Sequence, residues 1–452
     1  MTSPRPLSPS ASSSKSSTVL VLGTGGTIAS EPTPEGFTPL RNQNFFRRIR
    51  RHPQLSDNFS SESTPVSAQP AGECLRYPRL RTPELDDEGS QVSYDILDLA
   101  SHKDSSEMTT NDWNKIAALI TAYYGDYDGF IILSGTDTLA YTASILSFLF
   151  ADAGKPIVVT GAQIPLSQPR SDGWTNILES LLVAGLLPYS GVGIVFHHQV
   201  FRGCRATKVS PNLLSGFNSP CHPPLIKLDV KILCDSSLVP RSLTQPQPLV
   251  SLLTEPTVLS CSIYPGITGS ILSAQFAAMP TCRAVILSAF GSGNLPVTPE
   301  SGVLEALIKA VENEILVVVL SQYEDVDAND MIYPELHAAL LRSTQAQGTS
   351  PPTSRCSQFP TKDIEKHLND KKEGLWRKLR RHYHDEDYDT GKSLAKGLET
   401  FINSQPTFHC IEAPYLIVKY VADAETFKKC QTRGETVDVR TLRGRGSEKA
   451  GE

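Results

Sequence analysis

Thr18-Val19-Leu20-Val21-Leu22-Gly23-Thr24-Gly25-Gly26-Thr27-Ile28-Ala29 is the stretch on which the reading of this chain turns. A brief apolar run, Val19 to Leu22, ends in a glycine-rich turn, which is the pattern of a buried parallel strand running into a sharp bend. The glycines let the backbone approach a ligand closely, and they leave Thr27 just beyond the strand end, where open α/β sheets bind substrates. The pattern recurs at Phe130 to Leu133, which runs into Ser134-Gly135-Thr136-Asp137-Thr138. A second hydroxyl, with a carboxylate beside it, therefore stands at a second strand end. Two threonines facing one pocket point to nucleophilic chemistry.

Working outward, strands at Thr18 to Leu22, Phe130 to Leu133, Ile157 to Thr160 and Val192 to Phe196 alternate with helices at Leu139 to Phe150 and Thr175 to Leu186. This predicts an α/β fold with a doubly wound parallel-sheet N-terminal domain over residues 18–235, behind a Ser/Pro-rich disordered tail at 1–17. A shorter series follows: strand Val258 to Ile263, helix Gly269 to Ala277, strand Ala284 to Ala289, helix Gly302 to Val311 and strand Ile315 to Leu320. It predicts a smaller α/β C-terminal domain at 257–423, after a linker at 236–256. The stretches 52–91 and 323–387, rich in Pro, Ser and charge, read as surface insertions, and 424–452 as a polar tail. Within the second, the basic run Lys371 to Arg381 reads as a solvated helix face, with binding to an acidic membrane or a partner as the alternative.

Composition narrows the function. With 452 residues, 39% of them apolar, the chain can bury two full cores. A net charge of −6, from 42 basic and 48 acidic residues, excludes the broad cationic field that nucleic-acid binding needs. Nine cysteines without paired spacing support neither a zinc site nor a disulfide framework, so a reducing compartment is expected. The first residues lack the apolar stretch of a signal peptide. The greasiest pieces, Ile145 to Ala151 and Leu181 to Leu187, fall short of the roughly 18 residues of a membrane span. A cytoplasmic protein with no membrane partner is the expectation. Gly23-x-Gly25 has Ile28 where a dinucleotide fingerprint has its third glycine, and no Gly-Lys-Ser/Thr follows, so no nucleotide cofactor is expected.

Each polar segment has a plain structural reading beside the functional one. Asp137 and Thr138 are good helix N-caps, and Asp104-Ser105-Ser106-Glu107-Met108 stands where it could cap the helical stretch around Trp113. Arg202 to Ser210 reads equally as a charged surface loop. What changes the weighing is that these segments occur together. Thr24 to Ala29, Gly135 to Thr138, Thr160 to Gln163, Ser171-Asp172-Gly173 with Asn176, Phe201-Arg202-Gly203 with Ala206-Thr207-Lys208, and Phe290 to Asn294 follow one another in order. Taken together they resemble the L-asparaginases, particularly the cytosolic type I group of the asparaginase/glutaminase family. The likeness covers roughly residues 18–320 and, more faintly, Tyr388 to Tyr420, with Tyr388 to Lys392 and Glu412-Ala413 as displaced C-terminal segments.

The resemblance implies hydrolysis of the side-chain amide of L-asparagine to L-aspartate and ammonia, with no metal or cofactor. It implies that Thr27 attacks and that Thr136, Asp137 and Lys208 form a charge-coupled triad. Ser105 and Ser106 would grip the substrate α-carboxylate, Asp137 its α-amino group, and backbone near Ala162 would form the oxyanion hole. Asn294 would reach the site from a neighbouring copy of the chain in a homodimer or homotetramer. An ordinary lysine is almost wholly charged at pH 7. Lys208 therefore either shares a proton with its neighbours or stays charged and orients Thr136. Two positions depart from the family: Ser134 stands where many members have histidine, and Phe37 where many have a lid tyrosine. A catalytically weak amino-acid-binding or regulatory protein on the same fold, or the ammonia-releasing component of an amidotransferase, are the alternatives.

Overall fold

The computed structural model describes residues 16–57, 69–234 and 258–323, each with short interruptions, together with residues 5–6 and 239. The chain divides into two compact units, Met1–Pro256 and Thr257–Glu452.

The first unit is built on a sheet whose central strands are β1 (Ser16–Gly25), β2 (Gln91–Lys103), β3 (Gly129–Leu133), β4 (Pro156–Thr160) and β5 (Gly191–Phe196). They lie in the order β5-β4-β3-β1-β2, all parallel. A sixth strand, β6 (Gln199–Arg202), returns antiparallel beside β5. The helices are α1 (Gln43–Arg51), α2 (Thr110–Ala122), α3 (Leu139–Leu149) and α4 (Gly173–Gly185). Val19 to Leu22, Phe130 to Leu133 and Ile157 to Val159 are fully buried, as continuous apolar strands of a covered parallel sheet must be. From β1 the chain steps outward to β2, then crosses back to β3 on the other side of β1. The winding direction thus reverses between β1 and β3. Such a switch point leaves a crevice at the carboxyl ends of the two strands, and Thr27 and Thr136 follow those ends within three residues.

Two expectations are corrected here. The stretch 52–91 is not a surface insertion: Leu55, Tyr77 and Leu80 are buried in the main core. Cys74–Arg76 and Leu80–Arg81 pair antiparallel with β2, covering an edge that would otherwise expose unpaired backbone. Likewise Arg5–Pro6, within the expected tail, pairs with Leu233 and Cys234 at the far side of the sheet.

β2 is not among the strands expected from the sequence, although Val92, Tyr94 and Ile96 alternate with Gln91, Ser93 and Asp95. In the fold Asp95 is buried, and the structure shows what a carboxylate meets there. Asp95 accepts from Arg79 Nε at 2.8 Å, Arg79 Nη2 at 2.9 Å and Tyr127 Oη at 2.5 Å. Burial alone would raise its pKa, but the hydrogen bonds from Arg79 and Tyr127 and the charges of Arg79 and Arg76 outweigh that and hold it below the usual carboxylate range. Asp95→Ala is expected to cost about 2–3 kcal/mol. That is below the roughly 3–5 kcal/mol of a fully buried pair, because the half-exposed Arg79 can turn to water. A carboxyl with a depressed folded pKa contributes stability that is present above its unfolded pKa and lost as pH falls through the folded one. Denaturant midpoints should therefore converge for wild type and Asp95→Asn toward acid and separate above the carboxylate range.

The second unit holds a three-stranded parallel sheet, β7 (Val258–Ser262), β8 (Ala284–Ala289) and β9 (Leu316–Ser321), in that order. With α5 (Gly269–Ala278) and α6 (Val303–Glu312) it forms its own core around Leu272, Val285, Leu287 and Leu307. It is the smaller α/β unit that the sequence pattern predicts. Residues 324–452, with the basic run Lys371 to Arg381, Tyr388 to Lys392 and Glu412-Ala413, lie outside the described residues. Among the described residues no helix is long and apolar enough to cross a membrane.

Candidate active site

At the carboxyl end of β3 the chain passes through Gly135 to Thr136 and Asp137 before α3 begins. Asp137 does not cap that helix. Its Oδ1 accepts from Lys208 Nζ at 2.7 Å, and the same ammonium donates to Thr136 Oγ1 at 2.7 Å. Lys208 comes from the short strand Thr207–Lys208, pinned by pairing with Phe217–Asn218. The Lys208 side chain is 17% exposed while that of Asp137 is 61% exposed, so the cation lies behind the carboxylate, which faces the solvent side. The three side chains form one hydrogen-bonded unit. Thr138, the other capping candidate, spends its hydroxyl on Ser105 O at 2.7 Å.

Thr27 arrives from β1. Gly26 N donates to Lys103 O at 3.0 Å, and the Gly26 backbone lies directly against Gly135, with no room for a methyl between them. The residues that follow the two glycines, Thr27 and Thr136, are thereby brought to the same crevice. Thr27 opens a single 3-10 turn, Thr27–Ala29, whose Ile28 carbonyl accepts from Leu166 N at 3.2 Å. Its hydroxyl has no hydrogen-bond partner among the described residues.

A third element closes on the same point from β2. Asp104 caps the 3-10 turn Ser105–Glu107 through Ser106 N at 2.9 Å and also takes the Ser106 hydroxyl at 2.7 Å. Those two hydrogen bonds, aided by the charge of Lys208, hold its carboxyl below the usual range. The helix around Trp113, α2, is capped separately by Thr109 and Asp112. Ser105 is buried, and its Oγ accepts from Asp137 N at 3.2 Å, which leaves the hydroxyl proton free to be donated. Ser106, whose proton goes to Asp104, can only accept.

From β4 the loop after Thr160 brings Ala162 alongside. Gly161 packs against Ser134 O, and a Cβ at Gly161 would lie 3.5 Å from Thr136 Cγ2. Ser134 is buried and donates locally to Gly135 O at 3.2 Å. Phe37 lies on the hairpin Ser30–Thr33/Gly36–Pro39 that follows the Thr27 turn, 53% exposed. Asn294 belongs to the second unit, where its N donates to Phe290 O at 2.7 Å. No group of three or more His, Cys, Asp or Glu side chains placed to hold a metal ion occurs among the described residues.

The asparaginase family model, described as Asparaginase, N-terminal, matches residues 18–238. L-asparaginase 1 of Escherichia coli is 35% identical over 310 residues, covering 67% of this chain and 79% of that protein. A protein named 60 kDa lysophospholipase from Mus musculus is 36% identical over 228 residues, 50% of this chain and 40% of its own length. The crystal structure of L-asparaginase I from Vibrio cholerae superposes with a TM-score of 0.54 at 31% identity, covering 74% of this chain and 94% of that one. The chain belongs to the asparaginase family of amidohydrolases. Within it, the likeness is to the type I members.

Proposed function

We propose that this protein hydrolyses the side-chain amide of L-asparagine to L-aspartate and ammonia, with Thr27 as nucleophile. The observation that carries the reading is the Thr136–Lys208–Asp137 unit, set at the switch point of the sheet beside a threonine whose hydroxyl is uncommitted. Thr27 Oγ attacks the amide carbon and gives up its proton, and the carbonyl oxygen becomes an oxyanion beside Ala162 N. The linked Thr136, Lys208 and Asp137 share the proton and return it to the departing ammonia. Water then hydrolyses the Thr27 ester to release aspartate. The free proton of Ser105 and the open oxygen of Asp137 suit the α-carboxylate and α-ammonium of an amino acid. Asn294 completes the site from a second copy in a homodimer or homotetramer.

Purified full-length protein is expected to free ammonia from L-asparagine in a coupled assay, and absence of release from a folded sample overturns the reading in favour of a binding role. Lys208→Met should lower kcat by about two orders of magnitude or more, with KM changed far less, since the ammonium acts on the reacting groups rather than on ground-state binding. Near-normal turnover in that variant removes Lys208 from the mechanism. The amidotransferase alternative has less support: a glutamyl-tRNA(Gln) amidotransferase component from Thermococcus kodakarensis is 28% identical over 230 residues, 48% of this chain.

A further inference from the structure

We infer that Asp172 and Asn176, at the start of α4, are positioning residues that lock the backbone of residues 161–164 so that the Ala162 N–H is left to receive the substrate carbonyl oxygen. This rests on the hydrolase reading above. Asp172 occupies the N-cap position of α4, where an aspartate ordinarily accepts an N–H from its own helix. It makes no such bond. Its carboxylate reaches across instead, Oδ2 accepting from Gln163 N at 3.0 Å and Oδ1 from Ile164 N at 2.9 Å.

Asn176 is fully buried, and its amide is used on both sides. Nδ2 donates to Gly161 O at 3.0 Å and to Asp172 Oδ2 at 3.2 Å, while Oδ1 accepts from His197 N at 3.2 Å. That last bond comes from a strained place. His197 and His198, the two-residue turn between β5 and β6, have φ of 49° and 61°, a left-handed conformation that non-glycine residues seldom adopt. Such strain persists where surrounding contacts over-determine it. Here the His197 N–H is tied to Asn176, and the His198 ring pairs with Glu179 of α4 at 2.5 Å.

Ser171 Oγ adds a bond to Ile164 O at 2.7 Å. The polar groups flanking Ala162 are thus claimed by side chains: Gly161 O, Gln163 N, and both Ile164 N and O. Ala162 N carries no hydrogen bond among the described residues. With the peptides around it held, that N–H cannot swing, and it lies one residue from Gly161, which faces the Thr136 side chain. A donor aimed in advance at the place where charge develops stabilises the transition state more than the bound substrate. The Ser171-Asp172-Gly173 segment with Asn176 contributes no group to the proposed chemistry itself. Aiming the oxyanion donor gives it a role.

The test uses full-length protein and four readouts: kcat and KM for L-asparagine, L-aspartate affinity by calorimetry, and thermal midpoint. Asp172→Asn, which keeps the shape but loses one of two acceptors, should lower kcat about tenfold, and Asn176→Ala about a hundredfold. KM and aspartate affinity should stay within about threefold. A purely structural role predicts a lower thermal midpoint with kcat per folded molecule unchanged, and that outcome overturns the proposal. So does wild-type kcat in Asp172→Asn, or a loss confined to KM. Should Asn176→Ala fail to fold, the isosteric Asp172→Asn decides alone. An inactive wild type overturns the hydrolase reading and this proposal together, whereas an active wild type with an unaffected Asp172→Asn overturns only the positioning role.

Discussion

Thr27→Ala is expected to release ammonia from L-asparagine at about one ten-thousandth of the wild-type rate or less, with the thermal midpoint changed by about 2 °C at most. The size of the effect follows from the commitments of the other hydroxyls described around the crevice, Ser105 being assigned to the substrate carboxylate. Around the crevice, Thr24 donates its hydroxyl to Leu133 O at 3.0 Å and Ser30 to Gly26 O at 3.1 Å. Ser134, Thr138 and Ser106 are committed to Gly135 O, Ser105 O and Asp104. Thr136 already accepts from Lys208, which suits it to passing a proton. Thr27 is half-buried on one 3-10 turn, so trimming it to alanine removes reactivity and little packing. The matching variant Thr136→Ala separates the roles. If Thr27→Ala stays active while Thr136→Ala is dead, the nucleophile is the second threonine and the proposed order of events is reversed.

Gly26→Ala should give the largest loss of stability, about 3 kcal/mol or more, and inactivate the protein. Gly26 has φ of 77° and ψ of −173°, a conformation almost confined to glycine that costs an L-residue about 1–3 kcal/mol. The added methyl would also overlap the backbone of Gly135. Neither chain can retreat easily, because β1 and β3 are neighbours in the ladder and Gly26 N is held by Lys103 O. Overpacking of this kind adds about 1–3 kcal/mol. For a unit of this size the sum corresponds to a fall of roughly 6–12 °C in melting temperature. Gly36→Ala supplies the control. Its φ is 123°, but nothing lies within 4 Å of the new methyl, so it should lose only the conformational part and keep its activity. Equal losses of stability in the two variants would show that backbone strain, not the contact with Gly135, sets the cost.

What could be read ahead of the structure was local. The apolar runs Val19 to Leu22 and Phe130 to Leu133, each ending in glycine and threonine, marked the strands of the parallel sheet and the two hydroxyls at their ends. The periodicity of a strand and the geometry of a turn depend on adjacent residues, so they can be read from them. Ambiguity began where a polar side chain had to choose a partner. Asp137 stood as a good helix cap in the sequence, and it does not cap: it takes Lys208, 71 residues away, while Asp172, at the N-cap position of α4, takes the backbone of the β4 loop. β2 is absent from the strands read off the sequence, and without it the edge strands from 52–91 read as an insertion; the partners of its Asp95, Arg79 and Tyr127, meet it only in the fold.

Short stretches of the chain were thus enough to establish the α/β class and the residue types gathered at the strand ends, because hydrophobic period and backbone freedom are properties of neighbouring residues. Which oxygen each amine and carboxylate would meet was settled by the folded arrangement alone. Those meetings join residues far apart in the chain, and they exist only once the strands have taken their order, with the winding reversed between β1 and β3.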